Sequence, residues 1–186
     1  MPTPRQLSFL ATLSLNAHPV QTLESLHGAP VWINRLGGAG VLPGLVSTVR
    51  NDSHLLGCRA NEQVAPLLFY CRHTPSGYHL YVREPGKHFG KGIKRIDGAY
   101  LGLGCVHEPN PQPITLETPG GQNVDLRDLP HDTHPVSLKA GDRPIALGRR
   151  NHSPHTYLTL SAGAPLLWTL KIVARNVPWV SQPDEA

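Results

Sequence analysis

The sequence predicts an all-β protein built from a repeated unit. Three segments begin alike, with a short β-forming run, a Leu-Gly pair and then further runs of alternating apolar residues. The pairs are Leu56-Gly57, Leu103-Gly104 and Leu147-Gly148, roughly 45 residues apart, and self-similarity at such a period indicates a repeat architecture. From residue 44 to the end, no stretch has the apolar periodicity of a helix.

Each Leu-Gly pair lies within a set of four predicted strands. The strand before each pair covers 45–49, 93–96 and 136–139. The two strands after each pair cover 67–71 and 78–83, then 114–117 and 124–127, then 157–160 and 167–173. Alternating apolar residues in these runs are typical of half-buried strands, and Pro and Gly between them predict tight turns. With the strand that contains each Leu-Gly pair, every unit has four predicted strands, and the sequence predicts twelve strands in total.

This arrangement resembles the β-trefoil, a twelve-stranded fold in which a six-stranded barrel is capped by three hairpins with pseudo-threefold symmetry. A propeller is the alternative for a repeat of this length, but propellers normally have four or more blades. The resemblance implies a β-trefoil domain over residues 44–178 and a C-terminal tail at 179–186.

Residues 1–43 lie outside the repeat and are predicted to form an N-terminal extension or arm. Apolar residues at Leu7, Leu10 and Leu13 predict a short amphipathic helix within 4–15, and 21–26 add a turn. The glycines of 37–40 predict a flexible joint. Three roles stay open: packing across the open end of the ring, a removable pro-segment, or a partner-binding arm.

Composition narrows the functional class. The net charge is +4 with 11 histidines, an excess that permits sulfated or phosphorylated anions as partners without requiring them.

The N-terminus lacks the basic head and continuous apolar core of a secretory signal. No stretch approaches the roughly 20 apolar residues of a membrane span. We expect no membrane span, and a location either in the cytoplasm or outside the cell by export without a signal peptide.

The sequence contains no recognisable catalytic motif. A nucleophile elbow and a complete P-loop are absent, and the 13 carboxylates are scattered. His131 with His134 and His152 with His155 have the spacing of metal-ligand pairs, but neighbouring prolines put them in loops, where the rings need not converge. We therefore expect a non-catalytic binding protein with no metal and no cofactor.

The densest basic cluster is a predicted anion site. It lies in and after a glycine-rich loop and consists of Lys87, His88, Lys91, Lys94 and Arg95. Amide and ammonium groups aimed outward there would hold a sulfate or phosphate, with an ordinary solvated surface as the alternative. Aromatic residues do not alternate with these charges, so nucleic acid is not an expected partner.

Two cysteines are predicted to be near enough for a disulfide. Cys58 and Cys71 fall in what the repeat predicts to be neighbouring strands, although the pairing also requires a suitable Cα separation. The alternative is that all three cysteines are buried thiols.

Three families resemble parts of the chain, and for fibroblast growth factors the resemblance is limited to residues 69–72 and 78–80. Leu-Gly-Cys-Arg at 56–59, followed by Phe-Tyr-Cys at 69–71, is similar to the first half of a ricin-B-type lectin repeat, and Gln122 and Trp168 each match half of that family's Gln-x-Trp motif. This resemblance implies carbohydrate binding. Residues 103–106 and 114–117 resemble the central strands of leaderless interleukin-1-type cytokines, and 49–52 resemble their first strand. That resemblance implies a cytokine whose N-terminal extension is a pro-segment.

The loops after the Leu-Gly pairs supply a predicted sugar site. A sugar pocket needs an aromatic face for the C–H surface and side-chain amides or similar groups for the hydroxyls. The residues predicted to provide them are Asn61, Tyr78, His107, Asn110, Asn151, His152, His155 and Tyr157. We expect a lectin-like β-trefoil that binds a glycan or glycoprotein. The alternatives are an interleukin-1-like ligand of a cell-surface receptor and a β-trefoil protease inhibitor or protein-interaction module.

Overall fold

Strands dominate the computed structural model, which describes residues 3–35, 48–61, 63–105 and 111–177. Strands account for 51% of the structure and helices for 8%, so the all-β prediction is confirmed. The largest sheet contains thirteen strands, and its pairings are antiparallel. Within the described ranges, the helices are too short to cross a membrane.

The elements follow one another in a simple order. The strands are β1 (Phe9–Leu15), β2 (His18–Thr22), β3 (Trp32–Arg35), β4 (Thr48–Asn51), β5 (Leu56–Cys58), β6 (Leu68–Thr74), β7 (Gly77–Val82), β8 (Gly92–Ile96), β9 (Tyr100–Gly104), β10 (Thr115–Glu117), β11 (Asn123–Val124), β12 (Thr133–Ala140), β13 (Arg143–Arg149), β14 (Thr156–Leu160) and β15 (Trp168–Arg175). One α-helix, α1, covers Leu23–His27, and 3-10 turns cover Pro4–Leu7 and Leu126–Asp128.

Six strands pair in a closed ring around the main core. β1 pairs with β6 and β15, β6 pairs with β7, and β12 pairs with β10 and β15. β7 and β10 complete the ring through two backbone hydrogen bonds of 2.8 Å between Tyr78 and Ile114. Phe9, Phe69 and Trp168 are fully buried in the core that these strands enclose.

Three further antiparallel pairs contact one another beside the ring. They are β2 with β5, β8 with β9, and β13 with β14, and β5, β9 and β14 make mutual contacts. The connection between β2 and β5 is unlike the other two because it contains α1 and the two-stranded β3–β4 hairpin. Leu23, Leu26, Ile33, Leu55 and Tyr157 form a second, smaller core beneath this insertion.

The predicted N-terminal helix is wrong. Residues Phe9–Leu15 form β1, which pairs with β6 and β15 in the main sheet, so the N-terminal segment contributes to the ring and is not a separate arm. Phe9, Ala11 and Leu13 are the buried residues, which is the period of a strand. The predicted turn at 21–26 corresponds to α1. The joint at 37–40 and the tail at 179–186 lie outside the described residues.

The three Leu-Gly pairs do not occupy equivalent positions. Gly57 and Gly104 lie on the second strand of their pairs, β5 and β9, whereas Gly148 lies on β13, the first strand of its pair. Each glycine has a neighbour that crowds its Cα: a Cβ would lie 2.8 Å from the Thr156 carbonyl oxygen at Gly57 and 2.7 Å from Thr159 Cγ2 at Gly148. Close packing therefore explains Gly57 and Gly148, whereas the nearest neighbour of Gly104 is the flexible Lys94 side chain. The predicted repeat register is wrong.

Most of the individual predicted strands are present. There are two exceptions. In the predicted strand 124–127, strand β11 ends at Val124, and the Asp125 side chain then caps a 3-10 turn by accepting a hydrogen bond from the Arg127 amide. Of the predicted strand 45–49, only residues 48 and 49 are described, and they belong to β4. Asp125 favours the turn because its carboxylate replaces a backbone acceptor.

Candidate functional site

The two tyrosines predicted to face a sugar are buried. Tyr78 is 2% exposed, and its hydroxyl accepts a hydrogen bond of 3.1 Å from the Leu126 amide. Tyr157 is fully buried and donates its hydroxyl to Asp52 Oδ2 over 2.7 Å. Burial raises the pKa of Tyr157 to about 12. The prediction that these rings contact sugar is wrong, because both lie on the inner faces of their strands.

The other predicted sugar-site residues that the structure describes do not form one site. The Asn61 amide donates to the Leu26 carbonyl over 3.1 Å and its oxygen accepts from the Gln63 amide, so this side chain stabilises its own loop. Asn151 and His152 are exposed in the turn after β13, whereas His155 lines a cleft beside α1. His107 and Asn110 lie outside the described residues.

The predicted anion site is divided by an ion pair. Lys87 Nζ lies 2.6 Å from Glu24 Oε2 of α1, a partner that sequence reasoning missed. Lys91 Nζ lies 3.4 Å from His88 Nδ1, and burial together with the charges of Lys91 and Lys87 lowers the pKa of His88.

The last two members of the basic cluster are also separated. Lys94 and Arg95 are consecutive residues of β8, so their side chains point to opposite faces of the strand. The basic cluster of the sequence is therefore not a single convergent site.

The predicted disulfide is absent. Cys58 and Cys71 are free cysteines, since β5 pairs with β2 whereas β6 pairs with β1 and β7. The Cys58 thiol donates to the His18 carbonyl over 3.2 Å, and burial raises the pKa of the Cys71 thiol. The alternative prediction of three buried thiols is confirmed for Cys58 and Cys71 and is wrong for Cys105, which is exposed.

The His-x-x-His pairs do not complete a metal site in the described part of the chain. His131 and His134 stack with ring centroids 5.9 Å apart, and a ring nitrogen of His134 lies 2.8 Å from the His131 carbonyl. Across the described ranges, no group of three or more His, Cys, Asp or Glu side chains is arranged to hold a metal ion.

The β3–β4 hairpin presents an exposed aromatic side chain that the sequence did not single out. Trp32 is 59% exposed. The register places Trp32 opposite Asn51 and Asn34 opposite Val49, and all four side chains are exposed on one face. We call these four residues the Trp32 face. It combines an indole, two side-chain amides and one apolar side chain, without an ionisable group among the four.

The opposite side of this hairpin is firmly anchored. Ile33 is 4% exposed and packs in the second core. Arg50 Nε and Nη2 donate to the Asp52 carboxylate over 2.7 and 3.0 Å. Asp52, itself 1% exposed, also accepts from Arg150 over 2.9 Å and from Tyr157 over 2.7 Å.

These contacts join the insertion to the β13–β14 pair through one carboxylate. Burial opposes ionisation of Asp52, but hydrogen bonds from Arg50 and Tyr157 and the charge of Arg150 outweigh it and lower its pKa. The carboxylate is therefore charged at neutral pH and holds the hairpin in a fixed position.

A second arrangement lies at the end of α1. An open cleft of about 530 Å³ is lined by His27, Arg59 and His155 together with apolar residues that include Leu23 and Leu26. The His27 and His155 ring centroids are 4.2 Å apart. Arg59 Nη1 lies 2.9 Å from His27 Nδ1. This cleft contains one of the predicted sugar-site residues, His155, beside His27 and one permanent cation, Arg59.

Comparison of the chain with protein-family models, with curated proteins and with solved structures finds no match. The functional assignment therefore depends on the geometry of the Trp32 face and of the cleft beside α1.

Proposed function

We propose that the chain is a non-catalytic, lectin-like β-trefoil that binds carbohydrate on the Trp32 face. Support for the trefoil comes from the six-stranded closed ring and from the three antiparallel pairs that contact one another, which together make twelve strands. In this proposal β3, β4 and α1 are an insertion in the first of the three units, and the Trp32 face belongs to that insertion.

The exposed indole of Trp32 is the observation that supports carbohydrate binding. A solvent-facing indole is a rigid apolar surface on which a ligand can stack, and a pyranose ring offers one apolar C–H face of matching size. Sugars also need donors and acceptors for the hydroxyls at the edge of that ring. Asn34 and Asn51 supply both kinds of group from either side of Trp32.

The spacing of the Trp32 face suits a single sugar ring. Same-face neighbours along a strand, such as Trp32 and Asn34, are about 7 Å apart, and cross-strand neighbours such as Trp32 and Asn51 are about 5 Å apart. Asn51 is also held in place, because its side-chain oxygen accepts a hydrogen bond of 2.9 Å from the Ser53 amide. A fixed amide loses less conformational entropy when a ligand binds.

A glycan array with a matched set of variants tests this proposal. We expect the wild-type chain to bind at least one glycan class and to be displaced by the free sugar. Trp32→Ala and Asn34→Ala should each weaken that binding about five- to thirtyfold, since loss of a stacking or hydrogen-bonding group is worth about 1–2 kcal/mol. Leu167→Ala, which removes a 50% exposed apolar side chain elsewhere, is the control and should bind normally.

Two results would overturn the proposal. One is an array without binding to any glycan class. The other is glycan binding that Trp32→Ala leaves unchanged. Binding to enzymatically deglycosylated cells that Trp32→Ala abolishes would replace the carbohydrate proposal with the cytokine-like or protein-interaction alternative, since Trp32 and Val49 also suit a protein interface.

A further inference from the structure

We propose that the cleft beside α1 binds an oxyanion (carboxylate, phosphate or sulfate) between Arg59 and the imidazoles of His27 and His155. The three side chains come from α1, from the segment after β5 and from the loop before β14, so the insertion and the third strand pair build the site together. This site is distinct from the Trp32 face and does not depend on the carbohydrate proposal.

The hydrogen-bonding pattern leaves donors available for an anion. A guanidinium has only donors, so in the 2.9 Å contact between Arg59 Nη1 and His27 Nδ1 the imidazole nitrogen must accept. The neutral His27 ring therefore carries its proton on Nε2. The Arg59 side chain is exposed and has further N–H groups beyond the one used by His27.

The charges around the two imidazoles favour an anion. Burial lowers the pKa of His27, and the nearby His155 and Arg59 lower it further. Burial and Arg59 also lower the pKa of His155, while Asp52 opposes that shift. Asp52 is already bound by Arg50, Arg150 and Tyr157. Among the described residues that line the cleft, none is acidic.

The cleft also has room and an apolar wall for the rest of a ligand. Its volume of about 530 Å³ exceeds the space that one small ion needs, and Leu23 and Leu26 contribute carbon surface. Cys58 and His18 complete the titratable groups at its edge. The favoured ligand is therefore a small organic molecule with an oxyanion at one end and an apolar body.

Binding is coupled to proton uptake by the two imidazoles. An anion close to His27 and His155 stabilises their charged forms and raises both pKa values. The proton that His27 takes up goes to Nδ1, so the hydrogen bond from Arg59 Nη1 breaks and that N–H group becomes available to the anion. Affinity must then increase as the pH falls through the pKa of the free histidines, which lie below the ordinary 6.5. Each ring whose pKa rises by one unit on binding makes the affinity about tenfold greater at low pH than at high pH.

NMR titration of the full chain with sodium sulfate measures this coupling. Sulfate does not change its own charge between pH 5.0 and 7.5, and sodium chloride keeps the ionic strength constant. We expect affinity at least about tenfold greater at pH 5.0 than at pH 7.5, with the His27 and His155 pKa values raised by bound sulfate. Methyl phosphate and acetate at pH 6.0 then identify which oxyanion the cleft prefers.

Matched variants separate the site from general surface charge. Arg59→Gln should weaken sulfate binding at least about tenfold, whereas Arg143→Gln, the same change at an exposed arginine outside the cleft, should have no effect. His155→Gln should reduce the pH dependence. Trp32→Ala should leave sulfate binding intact, so failure here is distinguishable from failure of the carbohydrate proposal. Equal effects of Arg59→Gln and Arg143→Gln, or binding independent of pH, would overturn the inference.

Discussion

The Asp52 carboxylate is the contact whose loss should be most damaging to the fold. Its replacement by asparagine keeps the shape of the side chain but removes the charge and turns one acceptor into a donor. That donor faces Arg50 together with either Arg150, at the Oδ1 position, or Tyr157, at the Oδ2 position; these groups lie 2.7–3.0 Å from the carboxylate oxygens. The buried cationic groups then lose the anion that compensates for their desolvation.

The magnitude follows from the burial of the cluster. The Asp52 side chain is 1% exposed and that of Arg150 is 7% exposed, so solvent screens their interaction only weakly. Removing one partner from such a pair costs about 3–5 kcal/mol, against about 0–1 kcal/mol for an exposed pair. We expect Asp52→Asn to lower the free energy of unfolding by about 3 kcal/mol.

Urea unfolding followed by tryptophan fluorescence measures the loss. With a slope of about 2 kcal/mol/M, the midpoint should fall by about 1.5 M. Asp97→Asn is the matched control, because Asp97 also pairs with Arg150 but its side chain is 59% exposed. The control should change stability by less than about 1 kcal/mol. Equal, small losses for the two variants would refute the view that Asp52 anchors the insertion.

Three more outcomes follow from the same packing. Because the pKa of Asp52 is lowered in the folded state, its carboxylate stabilises the fold above about pH 4, and this stabilisation disappears as the pH falls further. In acid unfolding followed by circular dichroism, the stability of Asp52→Asn should therefore depend less on pH than that of the wild-type chain. Gly57→Ala should lower stability by about 1–3 kcal/mol in thermal unfolding, because its Cβ would lie 2.8 Å from a backbone oxygen, whereas Gly120→Ala, with 3.6 Å of room, should be nearly neutral. A thiol reagent should modify Cys105 first and Cys71 only on unfolding, and a reducing agent should leave the melting temperature unchanged; a shift would indicate a disulfide.

Strand positions were predictable wherever the pattern was unambiguous. β12 and β15 alternate in sequence, β6, β7 and β14 are short, mostly apolar runs, all five lie between Pro and Gly turns, and the structure has strands at each of these places. Both signals are local, since a strand's alternation and a turn's backbone preference are properties of a few adjacent residues.

β1 shows where local patterns are insufficient. Leu7, Leu10 and Leu13 fit a helix, while Phe9, Ala11 and Leu13 fit a strand, so one segment carries both patterns. Pairing with β6 and β15 decides between them, because it satisfies the backbone groups of β1 and buries Phe9 in the main core. The β1–β15 pairing joins segments more than 150 residues apart, and neither pairing has a local signal.

The sequence by itself determined the all-β class, the positions of most strands and the absence of a recognisable catalytic motif. Only the tertiary structure decided which face of each strand is covered. Trp32 and Ile33 are both apolar, and nothing local indicates that Ile33 packs in a core while Trp32 faces solvent. Likewise, Asp52 meets Arg150 and Tyr157 only because the chain closes on itself. Alternation shows that a strand has two faces, but burial depends on which distant segments pack against each of them.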